Sequence, residues 1–126
     1  MGKRILVVDD APSIRMLVRF SLTRAGYGVD EAEDGEQALI LLEQGLCPDL
    51  VVTDLHMPGC SGIELVRRIR AKGACRFVPV IIFTNPLEPE KRREAREAGA
   101  SAWIEKPFKP DALQQLIRRF IGLPGA

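Results

Sequence analysis

Leu50-Val51-Val52-Thr53-Asp54 is an apolar run closed by a carboxylate, set between Pro48-Asp49 and Leu55-His56-Met57-Pro58. A run this short, bounded by turn formers, fits a strand buried on both faces, with Asp54 at its tip and open to water. Three other runs end in the same way. Ile5 to Val8 leads to Asp9-Asp10, Val80 to Phe83 to Thr84, and Ala102 to Glu105 to Lys106. As parallel strands of one sheet, all four would bring these endings to its carboxyl edge, where open α/β sheets bind ligands.

Between the runs the sequence takes a helical period, and the alternation predicts five βα units around a parallel sheet. A strand over 4–8 precedes a helix over 12–25 with Ile14, Leu17, Val18, Ser21, Leu22 and Ala25 on one face, ended by Gly26. Residues 27–32 form a weak second strand, and Asp34-Gly35 opens a helix carrying Ala38, Leu39, Leu41 and Leu42 that fades at Gly45. After the strand over 50–53, the 58–62 loop leads to a helix with Ile63, Val66 and Ile69 inward and Arg67, Arg68 and Arg70 outward. Pro79 flanks the fourth strand, and a loop over 86–89 precedes a helix over 90–98 with little core face beyond Ala95 and Ala98. So thinly buried a helix shifts at modest cost. The fifth strand, 102–104, leads through Lys106-Pro107 to a last helix striped by Leu113, Leu116, Ile117, Phe120 and Ile121.

The 126 residues have the size of a single domain, read as 1–126. Eighteen Lys and Arg against seventeen Asp and Glu leave a net charge of +1. A chain covering nucleic-acid phosphates carries a clear basic excess, so direct nucleic-acid binding is not expected. Cys47, Cys60 and Cys75 are odd in number and contain no Cys-x-x-Cys pair. They suggest neither a disulfide framework nor a zinc site, only small buried or half-buried residues in a reduced setting. The start of the chain has no signal-peptide core and no window is long enough for a membrane span, so a cytoplasmic protein with no membrane partner is expected.

Each candidate residue has an ordinary reading beside a chemical one. Asp54 is a turn or cap residue, or a nucleophile toward phosphorus that forms an acyl phosphate. Asp9 and Asp10 point apart because they are adjacent, and either one also suits the cap of the helix beginning at Pro12. Together with Asp54 they make an oxygen-rich pocket whose mutual repulsion a proton or a hard cation such as Mg²⁺ relieves. The ion also offsets the charge of an incoming phosphoryl group. Thr84 and Lys106, surface residues if taken singly, offer a hydroxyl and a mobile ammonium to phosphoryl oxygens. Lys106-Pro107 is a bond where a cis peptide is affordable.

Taken together, Leu6-Val7-Val8-Asp9-Asp10, Asp34-Gly35-Glu36-Gln37-Ala38-Leu39, Pro48 to Asp54, Met57-Pro58 with Gly62, Pro79-Val80-Ile81-Ile82 with Thr84, Gly99-Ala100 and Lys106-Pro107-Phe108 resemble a response-regulator receiver domain of two-component signalling. The likeness spans nearly the whole chain. It implies a flavodoxin-like, doubly wound (βα)5 fold with strand order 2-1-3-4-5. It implies that Asp54 accepts a phosphoryl group from a sensor histidine kinase or histidine phosphotransfer protein. It further implies that Mg²⁺ sits on Asp10, Asp54 and the backbone carbonyl of His56, with Asp9 reached through water. Lys106 and Thr84 would contact the phosphoryl oxygens, and Trp103 would take the place of an aromatic residue that swings inward behind Thr84. The protein would then be a phospho-acceptor that catalyses its own phosphorylation and dephosphorylation rather than an enzyme. It would signal to a downstream effector through its fourth helix, fifth strand and last helix.

Three positions depart from the family pattern: Asn85 stands where a small residue is usual, Trp103 is bulkier than the usual aromatic, and His56 lies two residues past the acceptor. Arg92, Arg93 and Arg96 form either a docking surface for an acidic partner or a solvated charged face. Three rivals share features with this reading. An aspartyl-phosphate phosphohydrolase resembles Asp-x-Asp, which Asp54-Leu55-His56 lacks. An FMN binder wants a hydroxyl-rich phosphate loop where Asp9-Asp10 would repel phosphate. A scaffold that signals without phosphorylation has no use for the intact acceptor set.

Overall fold

The computed structural model describes residues 2–85, 89–107 and 109–125. Among these, the strands β1 (Arg4–Val8), β2 (Gly28–Ala32), β3 (Leu50–Asp54), β4 (Val80–Thr84) and β5 (Ala102–Glu105) alternate with helices α1 (Pro12–Arg24), α2 (Gly35–Glu43), α3 (Gly62–Ala71), α4 (Pro89–Ala98) and α5 (Pro110–Ile121). The strands form one sheet in the order β2-β1-β3-β4-β5, every pair parallel. The expected doubly wound order is therefore found. Side chains alternate across the strands and feed two cores. Leu6, Val8, Val51, Val80 and Ile82 pack with Ala38, Leu39, Ile63, Val66 and Ala95 on the α2, α3 and α4 side. Ile5, Val7, Leu50, Val52, Ile81 and Phe83 pack with Val18, Leu22, Leu113 and Ile117 on the α1 and α5 side.

Local chemistry sets most boundaries. Asp34 caps α2 by accepting from the Gln37 N–H at 2.8 Å, and Ser61 caps α3 by accepting from the Glu64 N–H at 3.1 Å. The cap of α1 departs from expectation. Its N-cap is Ala11, which has no side-chain bond, while Asp9 Oδ1 accepts from the Ala11 N–H at 2.7 Å. Asp10 is thereby left free of any capping role. Leu17 is 55 % and Phe120 40 % exposed, although both lie on predicted apolar stripes. Leu17 lines the open groove between α1 and α5.

Two further expectations are corrected. Arg70 is not an outward charge: its guanidinium donates to the carbonyls of Val78 (2.6 Å), Gly99 (2.9 Å) and Arg76 (3.0 Å), fastening the end of α3 to the loops before β4 and β5. Burial lowers the Arg70 pKa, and carbonyls rather than a carboxylate satisfy its donors. Cys47 and Cys75 form a disulfide across 28 residues with Cα atoms 5.9 Å apart, leaving Cys60 as the buried free thiol. Spacing along the chain does not reveal this pair, because it is made by neighbouring loops that enter the adjacent strands β3 and β4. The predicted 86–89 loop lies outside the described residues except for Pro89, which begins α4.

Candidate functional site

Sheet register assembles the site. Val8 pairs with Thr53 and Asp54 with Phe83, so the residues after β1 and at the end of β3 stand side by side. Asp9, Asp10 and Asp54 each offer a carboxylate oxygen within 4.8 Å of the others. Asp9 is fully buried, Asp54 is 8 % exposed and Asp10 is exposed. Among the described residues this is the acidic group close enough to share one ion. Its all-oxygen donor set suits a hard divalent cation.

The remaining atoms tell the same story. Asp9 Oδ2 is buried without a hydrogen-bond partner, an unusual and costly condition. Burial chiefly, and then the Asp54 and Asp10 charges, push the Asp9 pKa up against the Ala11 N–H and Lys106, which pull it down. Asp54 Oδ1 accepts from the Leu55 N–H at 2.8 Å and faces Lys106 Nζ at 3.4 Å. The Lys106-Pro107 peptide is cis, and the ammonium also lies 4.9 Å from the centre of the Phe83 ring. Thr84, at the tip of β4, is 1 % exposed, and its Oγ1 is likewise buried and unpartnered. A buried hydroxyl of this kind is available to a ligand that brings an oxygen.

Trp103 lies opposite Ile82 on β5, half-buried against the α3 and α4 side of the sheet, on the same strand face as Glu105 opposite Thr84. His56 is exposed beside buried Met57, and Asn85 is exposed at the rim. The groove next to Lys106, about 360 Å³, runs between α1 and α5 and is lined by Ile14, Leu17, Asn85 and Pro107. Arg15 escaped the sequence reading, and Arg92, read there as part of a docking surface or a solvated charged face, makes contacts that reading did not contain. Arg15 donates to the Asp9 carbonyl at 2.7 Å and pairs with Glu31 at 3.1 Å, pinning the loop after β1. Arg92 pairs with Glu105 at 3.1 Å and stacks on Trp103 at 5.3 Å, so it is part of a built contact between α4 and β5 rather than a free charge. Only the fold brings either residue to its partner, and no local pattern marks them.

Fold and site together define a doubly wound α/β domain with a carboxylate cup, a lysine and a buried hydroxyl at the carboxyl edge of its sheet. Residues 5–118 match the family model of the response regulator receiver domain, and the chain belongs to that family. It is 45 % identical over 108 residues to the transcriptional regulatory protein ResD of Bacillus subtilis, covering 85 % of this chain and 43 % of that protein. It is 39 % identical over 125 residues to the phosphate regulon transcriptional regulatory protein PhoB of Pseudomonas aeruginosa, covering 99 % and 54 %. The chain thus spans about half the length of these curated relatives. Among solved structures, the Vibrio cholerae chemotaxis protein CheY4 superposes with a TM-score of 0.91 at 35 % identity, covering 96 % of this chain and all of that one. The receiver domain of the sensor histidine kinase PA1611 of Pseudomonas aeruginosa, which has a magnesium ion coordinated in its active-site cleft, superposes at 0.87 with 33 % identity, covering 97 % and 99 %.

Proposed function

We propose that Asp54 takes a phosphoryl group from a phosphohistidine on a sensor histidine kinase or a histidine phosphotransfer protein. The P–N bond to the donor's imidazole breaks as the bond from an Asp54 oxygen to phosphorus forms, leaving an acyl phosphate. The observation that carries this reading is the meeting of three carboxylates within 4.8 Å, with Lys106 Nζ 3.4 Å from the acceptor oxygen. Asp10, Asp54 and the His56 carbonyl would hold Mg²⁺, with Asp9 reached through water. The buried, unpartnered Asp9 oxygen supports a cation there. When bound, the ion neutralises charge on the transferring group.

The chain's own residues do the rest. Lys106 leaves Asp54 for a phosphoryl oxygen, and the Thr84 hydroxyl donates to another. Both groups move toward the new charge, and Trp103 follows Thr84 inward, changing the surface of α4, β5 and α5 that a downstream effector reads. The donor approaches over α1, where Met16, Leu17 and Phe20 are 67, 55 and 59 % exposed beside the groove at Lys106. The same residues let the protein phosphorylate itself from small acyl phosphates and slowly hydrolyse the product. We place this single receiver unit in the cytoplasm, with protein partners rather than nucleic acid. Among the described residues no helix is long and apolar enough to cross a membrane.

Incubation with acetyl phosphate tests the reading by intact mass. One phosphoryl group is expected with Mg²⁺, almost none with chelator, and none on Asp54→Asn. Labelling that persists on Asp54→Asn would overturn the assignment. Beryllofluoride should change the Trp103 fluorescence, and Trp103→Phe should lose that signal.

A further inference from the structure

At the opposite end of the sheet from Asp54, Cys47 lies in the connection entering β3 and Cys75 in the connection entering β4. The length of a five-residue strand, about 16 Å, separates this pair from the acidic cup. The pair meets the requirements for exchange. Its Cα separation of 5.9 Å lies in the range that a disulfide spans without moving backbone. Cys47 is exposed and Cys75 half-buried, so a reagent can reach them. They line a groove of about 230 Å³ with Leu42, Leu46, Arg68 and Lys72. Lys72 and Glu43 line the same groove, and Arg68 is held by Glu36 at 3.2 Å, so access rather than local charge opens the pair to exchange through a thiolate. Cys60 is the contrast: 2 % exposed, its thiol pushed up by burial and by neighbouring Glu36, it is closed to this chemistry.

We propose that Cys47 and Cys75 are a reversible thiol–disulfide couple, oxidised by a low-molecular-weight disulfide of the glutathione class. The Cys47 thiolate attacks one sulfur of the oxidant, forming a mixed disulfide and expelling one thiolate. The Cys75 thiolate then attacks Cys47 Sγ, closing the internal bond and releasing the second thiolate. Two electrons pass from the protein to the oxidant, which leaves as two thiols. In a reducing thiol pool the couple rests as the dithiol and closes when the pool is oxidised. Closure ties together two loops 28 residues apart, restricting the unfolded chain more than the folded one. Oxidation is thus a stability lock that leaves phosphoryl chemistry untouched.

The test treats the fully reduced protein with oxidised glutathione, then with dithiothreitol, and maps the peptides. The couple predicts a Cys47–Cys75 link, no retained glutathione, full reversal, and a melting temperature about 5–10 °C higher when oxidised. Cys60→Ser should behave like the parent, and Cys75→Ser should trap glutathione on Cys47. Asp54 labelling by acetyl phosphate should be equal in both redox states, so a failed couple and a failed acceptor give separate readouts. Free thiols at Cys47 and Cys75 after treatment, glutathione retained on the parent protein, or a link through Cys60 would each overturn the proposal. The parent's peptide map decides even where a variant fails to fold.

Discussion

Asp9 is the acid with most to lose when nothing relieves its charge. Its carboxylate is fully buried, one oxygen has no partner, and burial with the neighbouring acids raises its pKa. The folded chain therefore holds this proton more tightly than the unfolded chain does. The stability it contributes is complete at low pH and lost as pH rises through the raised value. In chelator at neutral pH, Asp9→Asn should melt a few degrees above the parent and gain less from added Mg²⁺, by differential scanning calorimetry; a lower melting point would contradict the account. Arg92 supports a second prediction. Its stack on Trp103 and its pair with Glu105 hold the indole toward α4 in the resting protein. A cation–π contact on this half-buried surface is worth roughly 0.5–2 kcal/mol. Arg92→Ala should release Trp103, shift its fluorescence toward the beryllofluoride-bound spectrum without ligand, and tighten beryllofluoride binding severalfold. Unchanged affinity would reduce Arg92 to a surface ion pair. The acids and Thr84 were legible in the sequence because each closes or follows a buried strand, and Lys106 because it follows the half-buried run of β5 and precedes Pro107. The contacts of Arg92 and Arg15 were not, because their partners lie on other elements.

At the scale of elements, the turn from β3 into α3 is tightly constrained beside Asp54. The Gly62 N–H donates to the Leu55 carbonyl at 2.8 Å, and a Cβ at this position would press on the Asp54 carbonyl and approach Leu55 Cα at 3.0 Å. Backbone atoms cannot step aside as a flexible side chain can. Gly62→Ala should cost about 2 kcal/mol or more in urea unfolding and slow labelling of Asp54, since the displaced carbonyl belongs to Asp54 itself. Parent-like stability with parent-like labelling would show that this turn yields easily. The same physics explains which elements the sequence disclosed. The central strands β1, β3 and β4 are covered on both faces and read as unbroken apolar runs, whereas β2 is an edge strand whose Asp30 and Glu31 pair with Arg4 and Arg15. Its polarity blurred its beginning, and Tyr27 falls just outside it. Arg70 and the Cys47–Cys75 pair were misread because loop-to-loop neighbours carry no periodic signal.

Across the whole molecule, rigidity is unevenly shared, and the soft part adjoins the site. α3 buries Ile63, Leu65, Val66 and Ile69, while α4 buries Ala95 among its ten residues. Much of what holds α4 is charged and exposed: Arg67 to Glu94 at 3.2 Å and Arg92 to Glu105 at 3.1 Å. Lys91 and Arg67 together keep the Glu94 pKa low, so acid weakens this fastening as Glu94 takes up its proton. Surface pairs of this kind contribute little each and are screened by salt. α4 should therefore open well before the sheet and before α3. Hydrogen exchange followed by mass spectrometry should find the α4 amides exchanging fastest among the helices, with the gap to α3 widening in high salt. Adding Mg²⁺ and beryllofluoride should change exchange in α4 and β5 more than in α3, because Thr84 and Trp103 lead from the cup to the weakly held α4, whereas α3 is fixed by its buried face. Equal slowing of α3 and α4 would mean that the ligand merely stabilises the whole fold by mass action, with no separate readout surface.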